Sequence, residues 1–436
     1  MNYPQTIEYL YSRLPMFSRI GAAAYKKDLH NTRALCEQLG QPQTRFRCVH
    51  VAGTNGKGST SHMLAAIFQA NGYKTGLYTS PHLRDFRERI RINGKEVAPD
   101  FVVDFVERTR EITEAISPSF FELTVAMAFD WFALQEVDVA IIETGLGGRL
   151  DSTNVVLPEL SIITNIGFDH MNLLGDTLTE IAAEKAGIIK PGRPALVGQS
   201  LPETRAVFVH RAAEAGASLH FATDYYSVDE VRTSGRMLEC RVREQASGKE
   251  QTYWLDLAGR YQARNLATVL AALSLLSENG FVFNAENVEQ ALRSVTSLTG
   301  LHGRWEQLAA SPDIILDVAH NADGIEQVIH QLEDRDKVHL VFGMVQDKDA
   351  DAVLRLLPSR FTYYFTRARI PRALPAELLR QKAAGFGLEG KHYENVNQAL
   401  EAARKAASAD HTIVVCGSVF LVGEVDVEAV KGKPAD

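Results

Sequence analysis

The chain has 436 residues, 45% hydrophobic and 23% charged, which is ordinary globular usage with interior enough for two or three domains. That composition excludes disordered, collagen-like and coiled-coil classes. Lys and Arg number 46 against 54 Asp and Glu, a formal net charge of -8, so no global field favours nucleic acid and any phosphate ligand must be met locally. Cys36, Cys48, Cys240 and Cys416 are scattered without a C-x-x-C pair, against a disulfide framework or a structural zinc site. The first residues carry no basic segment followed by an apolar run, and nowhere do about 18 apolar residues run uninterrupted. A cytoplasmic protein with no membrane partner is expected.

From about Phe46 short β-branched runs alternate with longer amphipathic segments, as a parallel sheet with crossover helices requires. F-R-C-V-H-V-A is the first strand, ended by Gly53. A helix pattern runs from Ser59 to about Ala70, stops at Asn71-Gly72, and K-T-G-L-Y-T follows as a strand. V-D-V-A-I-I-E and L-S-I-I-T-N-I are apolar on both faces, as strands between helix layers are. Over residues 220–256, alternating runs such as R-M-L-E-C-R-V-R predict antiparallel strands at the edge of this first domain, and a helix is predicted from Asn265 to Ser277. S-L-T-G-L-H-G-R, from Ser297 to Arg304, has two glycines and no periodicity. After it I-I-L-D-V-A opens a second α/β series, continued by V-H-L-V-F-G-M-V, F-T-Y-Y-F-T and T-I-V-V-C-G-S. The boundary falls there, with residues 1–298 as the first domain and 299–436 as a smaller Rossmann-like one.

The sharpest signal is Gly53-Thr54-Asn55-Gly56-Lys57-Gly58-Ser59-Thr60, between a buried-type strand and a helix start. Glycines let the backbone turn its N–H groups toward an anion, the helix start adds its positive end, and Lys57 adds a full charge. That is a triphosphate cradle. It departs from G-x-x-x-x-G-K-[ST], because Gly53 stands three residues before Gly56 and Gly58 separates Lys57 from Ser59, which disfavours a generic kinase or GTPase. The turn Gly145-Leu146-Gly147-Gly148 is weaker by itself.

G-T-N-G-K-G-S is followed in order by Y-T-S-P-H-L, E-T-G-L-G-G-R-L-D-S-T-N, I-T-N-I-G-F-D-H, E-K-A-G-I-I-K and L-D-V-A-H-N. Together these resemble the folylpolyglutamate synthase and dihydrofolate synthase family of the Mur-ligase-like ATP-dependent amide ligases, over nearly the whole chain. The resemblance implies an α/β fold: an N-terminal P-loop ATPase domain with a mostly parallel sheet, a smaller C-terminal Rossmann-like domain for glutamate ligation, and an active site in the cleft between them.

Glu143 ends the apolar strand V-D-V-A-I-I-E, where a carboxylate can face the phosphate loop and hold magnesium. By resemblance Glu143, Ser80 and His170 hold a second magnesium ion, while Ser59 is a ligand of the nucleotide's own. Lys185 falls on the apolar stripe Leu178, Ile181, Ala182, Ile189 of a helix opening near Asp176 or Thr177. Burial disfavours its charge, and a neutral amine can add carbon dioxide to form a carbamate. The resemblance implies that modification at Lys185; on sequence alone, a pair with Glu184 or a head reaching solvent is the competing reading. By resemblance Asn265 contacts ATP, Arg304 reaches the phosphates and Asp317 meets a ribose hydroxyl or base. His320 and Asn321 follow, with Ala322 where the family often has proline. The family binds pterin with segments that here would be S-R-I-G-A-A-A-Y-K, S-P-S-F-F-E and R-L-D-S-T-N. Phe120 or Phe121 could stack on the ring or simply pack in the core. Many dihydropteroate-using members have alanine in place of Ser152.

The chemistry implied is phosphorylation of a substrate carboxylate by ATP, then attack of the glutamate amine on the acyl phosphate, with Lys57 and two magnesium ions spreading the charge and His320 a candidate base. The expected partners are small molecules, dihydropteroate or a reduced folate and L-glutamate, and a monomer is expected. Two alternatives share part of this signal. A peptidoglycan Mur ligase would need a further N-terminal domain, for which too few residues precede Gly53; a nucleotide-gated binding protein would close on a ligand without making an amide.

Overall fold

A computed structural model describes residues 1–432. They form two compact units, one made of Met1–Asp256 with Tyr261–Leu301 and the other of Leu257–Arg260 with the chain from His302 onward.

In the first unit, β1 (Arg47–Ala52), β2 (Thr75–Tyr78), β3 (Ile90–Ile92), β4 (Lys95–Glu96), β5 (Val139–Glu143), β6 (Leu160–Ile163), β7 (Ala195–Val197) and β8 (Leu219–Phe221) make one sheet. Its order is β4-β3-β2-β5-β1-β6-β7-β8. From β2 to β8 every pairing is parallel, and only β3 and β4 run antiparallel at one edge. β1 and β5 are buried almost throughout because both of their faces are apolar and both are covered. The chain steps from β1 to one side for β2 and β5 and to the other for β6. The carboxyl end of β1 is therefore the switch point at which open α/β sheets take ligands. Register puts Val51 opposite Glu143 on one side and Ile162 on the other, so the loop after β1 is flanked by the ends of β5 and β6.

The helix after β1 spans Lys57–Ala70, two residues earlier than the apolar pattern suggests, because Gly56 (φ 83°) turns the chain and lets Lys57 and Gly58 begin it. The antiparallel strands expected after residue 220 exist as β9 (Tyr226–Ser234), β10 (Met237–Glu244) and β11 (Glu250–Leu255). They do not extend the large sheet, but form a three-stranded sheet of their own. Leu238, Cys240 and Val242 are buried while Arg241 and Arg243 face outward, the one-sided pattern that an antiparallel sheet accepts and a doubly covered one does not. The following helix spans Gln262–Glu278 and so takes in Gln262 as well as Asn265.

The second unit holds β12 (Glu306–Ala310), β13 (Asp313–Leu316), β14 (Val338–Phe342), β15 (Thr362–Phe365), β16 (Gly390–His392) and β17 (Thr412–Cys416), in the order β12-β13-β17-β14-β15-β16. All pairings are parallel except β12 with β13. A strand thus precedes I-I-L-D-V-A, which was expected to open this series; β12 is only partly buried and reads weakly for that reason. Within the aperiodic stretch around Ser297, Val295–Thr299 forms a short helix ended by Gly300 at φ 69°. The segment S-R-I-G-A-A-A-Y-K is largely helical, over Phe17–Ile20 and a 3-10 turn at Gly21–Ala24; the side chains of residues 18, 22 and 23 lie outside the description.

Candidate active site

The phosphate loop is clamped to the strand beside it. Thr54 N donates to the Asn165 carbonyl at 3.1 Å, Asn55 N to Asn165 Oδ1 at 2.8 Å, and Thr164 Oγ1 to the Asn55 carbonyl at 2.6 Å. Thr54 Oγ1 donates to Gly167 O at 3.1 Å and accepts from Gly167 N at 3.0 Å. Glycine is required at both turns of the loop. A Cβ on Gly53 would lie 1.9 Å from Thr164 Oγ1, and one on Gly56 would lie 2.4 Å from Asn265 Oδ1. Thr164 and Asn165 belong to I-T-N-I, but no role could be given them from the sequence, because their partners are more than a hundred residues away.

Two lysines meet on one carbonyl. Lys57 Nζ donates to Gly53 O at 3.0 Å and Thr54 O at 3.1 Å, and Lys185 Nζ donates to Gly53 O at 3.0 Å. Lys185 is only 4% exposed, on the Leu178–Ala186 helix that Thr177 caps. The sequence stripe therefore identified a buried lysine, and the fold aims it at the loop. Glu184, the competing partner offered by the sequence, is held by Arg149 at 2.7 Å. Two lysine side chains thus end at one backbone oxygen of the phosphate loop.

Glu143 is buried at the end of β5, where Oε2 accepts from the Ser80 backbone N–H at 3.3 Å. The next residues make the glycine turn, and Asp151 fixes it. Its Oδ2 accepts from Gly145 N and Leu146 N, both at 2.8 Å. Its Oδ1 accepts from Thr153 N at 3.0 Å and from the Thr153 hydroxyl. Thr153 spends its proton on Asp151, so it accepts from His50 Nε2 at 2.8 Å. Burial holds the His50 ring neutral, its pKa pulled down to about 3, and its Nδ1 is buried with no hydrogen-bond partner. Gly148 packs on the Lys185 helix so closely that a Cβ would meet the Glu184 and Lys185 carbonyls at 2.8 Å. Gly145-Leu146-Gly147-Gly148 thus carries the chain from the end of β5 onto the Lys185 helix.

His170 adopts φ 50°, lies 5.5 Å from the Phe17 ring in an edge-on contact, and has Asp169 beside it. Among the described residues no three His, Cys, Asp or Glu side chains form a metal cluster. Ser59 is buried, and its Oγ accepts from Gln262 Nε2 at 3.1 Å, while Gln262 Oε1 accepts from Asn265 Nδ2 at 2.8 Å. Gln262 is the partner of Ser59 and Asn265 that sequence reasoning missed. Its spacing of three from Asn265 on one helix face was the available signal. Thr60 Oγ1 and Thr144 Oγ1 are buried without a partner close by in sequence to the loop and to Glu143.

In the second unit, Asp317 Oδ2 accepts from Trp305 N and Oδ1 from Ala319 N, both at 2.9 Å. Asp317 lies just beyond the end of β13 and ties down the turn that carries Arg304, whose Nη1 donates to His302 O at 3.1 Å. His320 Nδ1 lies 2.9 Å from Val318 O, a contact in which Nδ1 donates to the carbonyl. Asn321 caps the Ala322–Gln331 helix, and Ala322 is its first residue, where proline is equally acceptable. Of the two ring candidates, Phe120 belongs to the core with Tyr11 and Phe86, so packing accounts for it. Phe121 is partly buried under Gly145, where a Cβ would strike its ring at 2.5 Å. Ser152 is buried in the 3-10 turn that follows Asp151. All four cysteines are free and buried, and burial pushes their thiols up, so none is a nucleophile.

A glycine-lysine cradle at the switch point of one α/β unit, joined to a second parallel-sheet unit, defines an ATP-dependent amide ligase of the Mur type. Residues 51–273 match the Mur ligase middle domain and residues 303–419 the Mur ligase glutamate ligase domain. The folylpolyglutamate synthase of Lacticaseibacillus casei is 33% identical over 99% of this chain and 100% of its own. The dihydrofolate synthase/folylpolyglutamate synthase of Bacillus subtilis is 33% identical over 92% of this chain and 94% of its own. A Mycobacterium tuberculosis folylpolyglutamate synthase solved with ADP and AMPPCP superposes with a TM-score of 0.86 at 29% identity, covering 100% of both chains. An Escherichia coli FolC structure in complex with DHPP and ADP gives 0.84 at 30% identity over 99% of this chain and 98% of that one. The chain belongs to the folylpolyglutamate synthase/dihydrofolate synthase family, whose members are ADP-forming acid-amino-acid ligases.

Proposed function

We propose that this chain joins L-glutamate to dihydropteroate and to folate glutamates, using ATP and passing through an acyl phosphate. The observation that carries the reading is the convergence of Lys57 and Lys185 on the Gly53 carbonyl, in a loop flanked by the strand that ends in Glu143. A carboxylate is a poor acyl donor, and phosphorylation gives it a good leaving group. The substrate carboxylate oxygen attacks the γ-phosphorus and ADP departs. The neutral glutamate amine then attacks the acyl carbon, and the tetrahedral intermediate expels phosphate and leaves an amide.

In this reading Gly53 to Thr60 form the cradle, with the backbone N–H groups of Gly56 to Ser59 at the start of the Lys57–Ala70 helix holding the phosphates, and Lys57 moves from its carbonyl acceptors onto the phosphates. Asn265, set by Gln262, contacts the nucleotide. Arg304 is assigned to phosphate, Asp317 to the ribose or base, and Nε2 of His320 to the proton leaving the amine. The hydroxyl of Ser59 and the buried carboxylate of Glu143 are hard oxygen donors of the kind magnesium takes, so the residues fit that ion, with Ser80 and His170 completing the second set. When bound, magnesium would supply charge neutralisation along the phosphates. A carbamate on Lys185 would keep one N–H for the Gly53 carbonyl. The domain roles follow, with nucleotide binding assigned to residues 1–298 and glutamate ligation to 299–436.

Glutamate-dependent ADP release, assayed separately with dihydropteroate and tetrahydrofolate and followed by mass spectrometry of the products, tests the proposal. ADP release indifferent to glutamate, or no amide product with either pterin, refutes it. Release that persists unchanged in EDTA refutes the metal assignment.

A further inference from the structure

The motif Y-T-S-P-H-L contains His82, which the chemistry assigned above does not use. Arg89, buried at the end of the 3-10 turn Phe86–Arg89, grips this segment on both sides of Ser80. Its backbone carbonyl accepts from Thr79 N at 3.1 Å, and its Nε donates to His82 Nδ1 at 2.8 Å. A guanidinium only donates, so Nδ1 offers its lone pair and the ring carries its proton on Nε2. There the ring meets the Tyr3–Arg13 helix, with the Tyr11 hydroxyl 3.4 Å from Nε2 and the two rings stacked at 6.3 Å. Phe86 stands edge-on to it at 6.4 Å. The chain beyond His82 is tied as well, because the Glu88 carboxylate accepts from Leu83 N at 2.7 Å, Arg84 N at 2.9 Å and Asp85 N at 2.8 Å. Between these ties Ser80 donates its backbone N–H to Glu143 Oε2 at 3.3 Å. A single bond of that length is too weak to place Ser80 by itself, and the grip of Arg89 on residues 79 and 82 supplies the rest.

We propose that His82 is a positioning residue for the ligase reaction: by accepting from Arg89 through Nδ1, it keeps Ser80 against Glu143 in the arrangement that the second magnesium set uses. The inference rests on the metal reading given above and deepens it, naming a side chain that shapes the set without belonging to it. Side chains behind the ligands of a metal fix the direction in which those ligands point, and their loss is felt in metal affinity before it is felt in the fold. The Gly53–Thr60 loop is held by Thr164, Asn165 and Gly167, so its hold on a nucleotide does not pass through His82.

Asparagine and glutamine at this position separate geometry from polarity. The side-chain oxygen of Asn falls where Nδ1 stands and keeps an acceptor for Arg89, whereas that of Gln falls near Nε2. In the full chain, Mn2+ binding is counted by electron paramagnetic resonance with a non-hydrolysable ATP analogue present, beside kcat and calorimetric ADP affinity. His82→Gln should weaken the second Mn2+ and lower kcat by about tenfold or more with ADP affinity within about twofold of the parent, while His82→Asn stays within about threefold throughout. Amide exchange over residues 79–85 should quicken in His82→Gln alone. Equal effects of the two substitutions, a second Mn2+ held as tightly in His82→Gln as in the parent, or an ADP affinity that falls in step with it overturns the proposal. A parent chain that takes up only one Mn2+ refutes the metal set, and the proposal with it, so the two failures are told apart.

Discussion

Lys57 bonds only to Gly53 O and Thr54 O in the structure described, so removing it should leave the fold in place and remove charge stabilisation from phosphoryl transfer. Lys57→Ala is expected to lower kcat by about 100-fold or more with an unchanged thermal midpoint, measured by coupled ADP release and calorimetry. His50 makes a pH prediction whose sign is fixed by burial. Its folded pKa of about 3 lies below the ordinary value of about 6.5, so the stability it contributes is whole above pH 6.5 and is lost as pH falls toward 3, at about 1.4 kcal/mol per pH unit. Gln keeps an N–H for Thr153 and does not titrate. Urea unfolding at pH 7 and pH 5 should show a drop about 2 kcal/mol smaller in His50→Gln than in the parent chain, and an equal drop in both would refute a neutral buried ring. Thr153→Val leaves Asp151 and His50 without their shared hydroxyl and should cost about 2 kcal/mol in the same assay. No pattern in the sequence pointed to His50, because a histidine in an apolar strand reveals its partner only when residues 151–153 come to lie beside it.

At the scale of elements, the site is a matter of close backbone approach. The Lys57–Ala70 helix can begin at Lys57 only because Gly56 takes a left-handed turn against Asn265. Gly56→Ala should weaken ADP binding by at least about tenfold in calorimetric titration, since both the strained φ and the 2.4 Å approach to Asn265 Oδ1 must be relieved. Undiminished affinity would show that the cradle is not formed this way. The Lys185 helix was largely legible: Thr177, one of the two starts the sequence offered, caps it, and Lys185 lies inward with Ile181 and Ala182, but the helix ends at Ala186, so Ile189 is buried beyond it, and Leu178 is only partly buried. The direction of the Lys185 head was not legible, because the Gly53 carbonyl is 132 positions away in sequence. The three-stranded sheet from Tyr226 to Leu255 shows the same limit. Alternation revealed antiparallel strands with one wet face, but not which sheet they would join.

For the molecule as a whole, the crossover of the chain between its units is the feature that a linear reading lacks. Leu257–Arg260 belongs with the second unit although the chain then returns to the first. Gln331 secures that segment, accepting from Arg260 N at 2.6 Å and donating to Ala258 O at 2.9 Å. Gln331→Leu strands both backbone groups and should destabilise the second unit by about 2–4 kcal/mol, seen as faster amide exchange over residues 257–260 and 322–331. Unchanged protection would refute this role. By itself the sequence determined the class of each layer, the strand that leads into the cradle, the glycine-lysine loop and the inward face of Lys185. These depend on periodicity and on neighbours a few residues apart, which composition and spacing record directly. The tertiary structure alone decided that Lys57 and Lys185 share one carbonyl, that Gln262 orients Ser59, and that Asp151 locks the glycine turn. Those contacts join residues far apart in the chain, and a hydrogen bond or a charge acts over a few ångströms of space regardless of the length of chain between its ends.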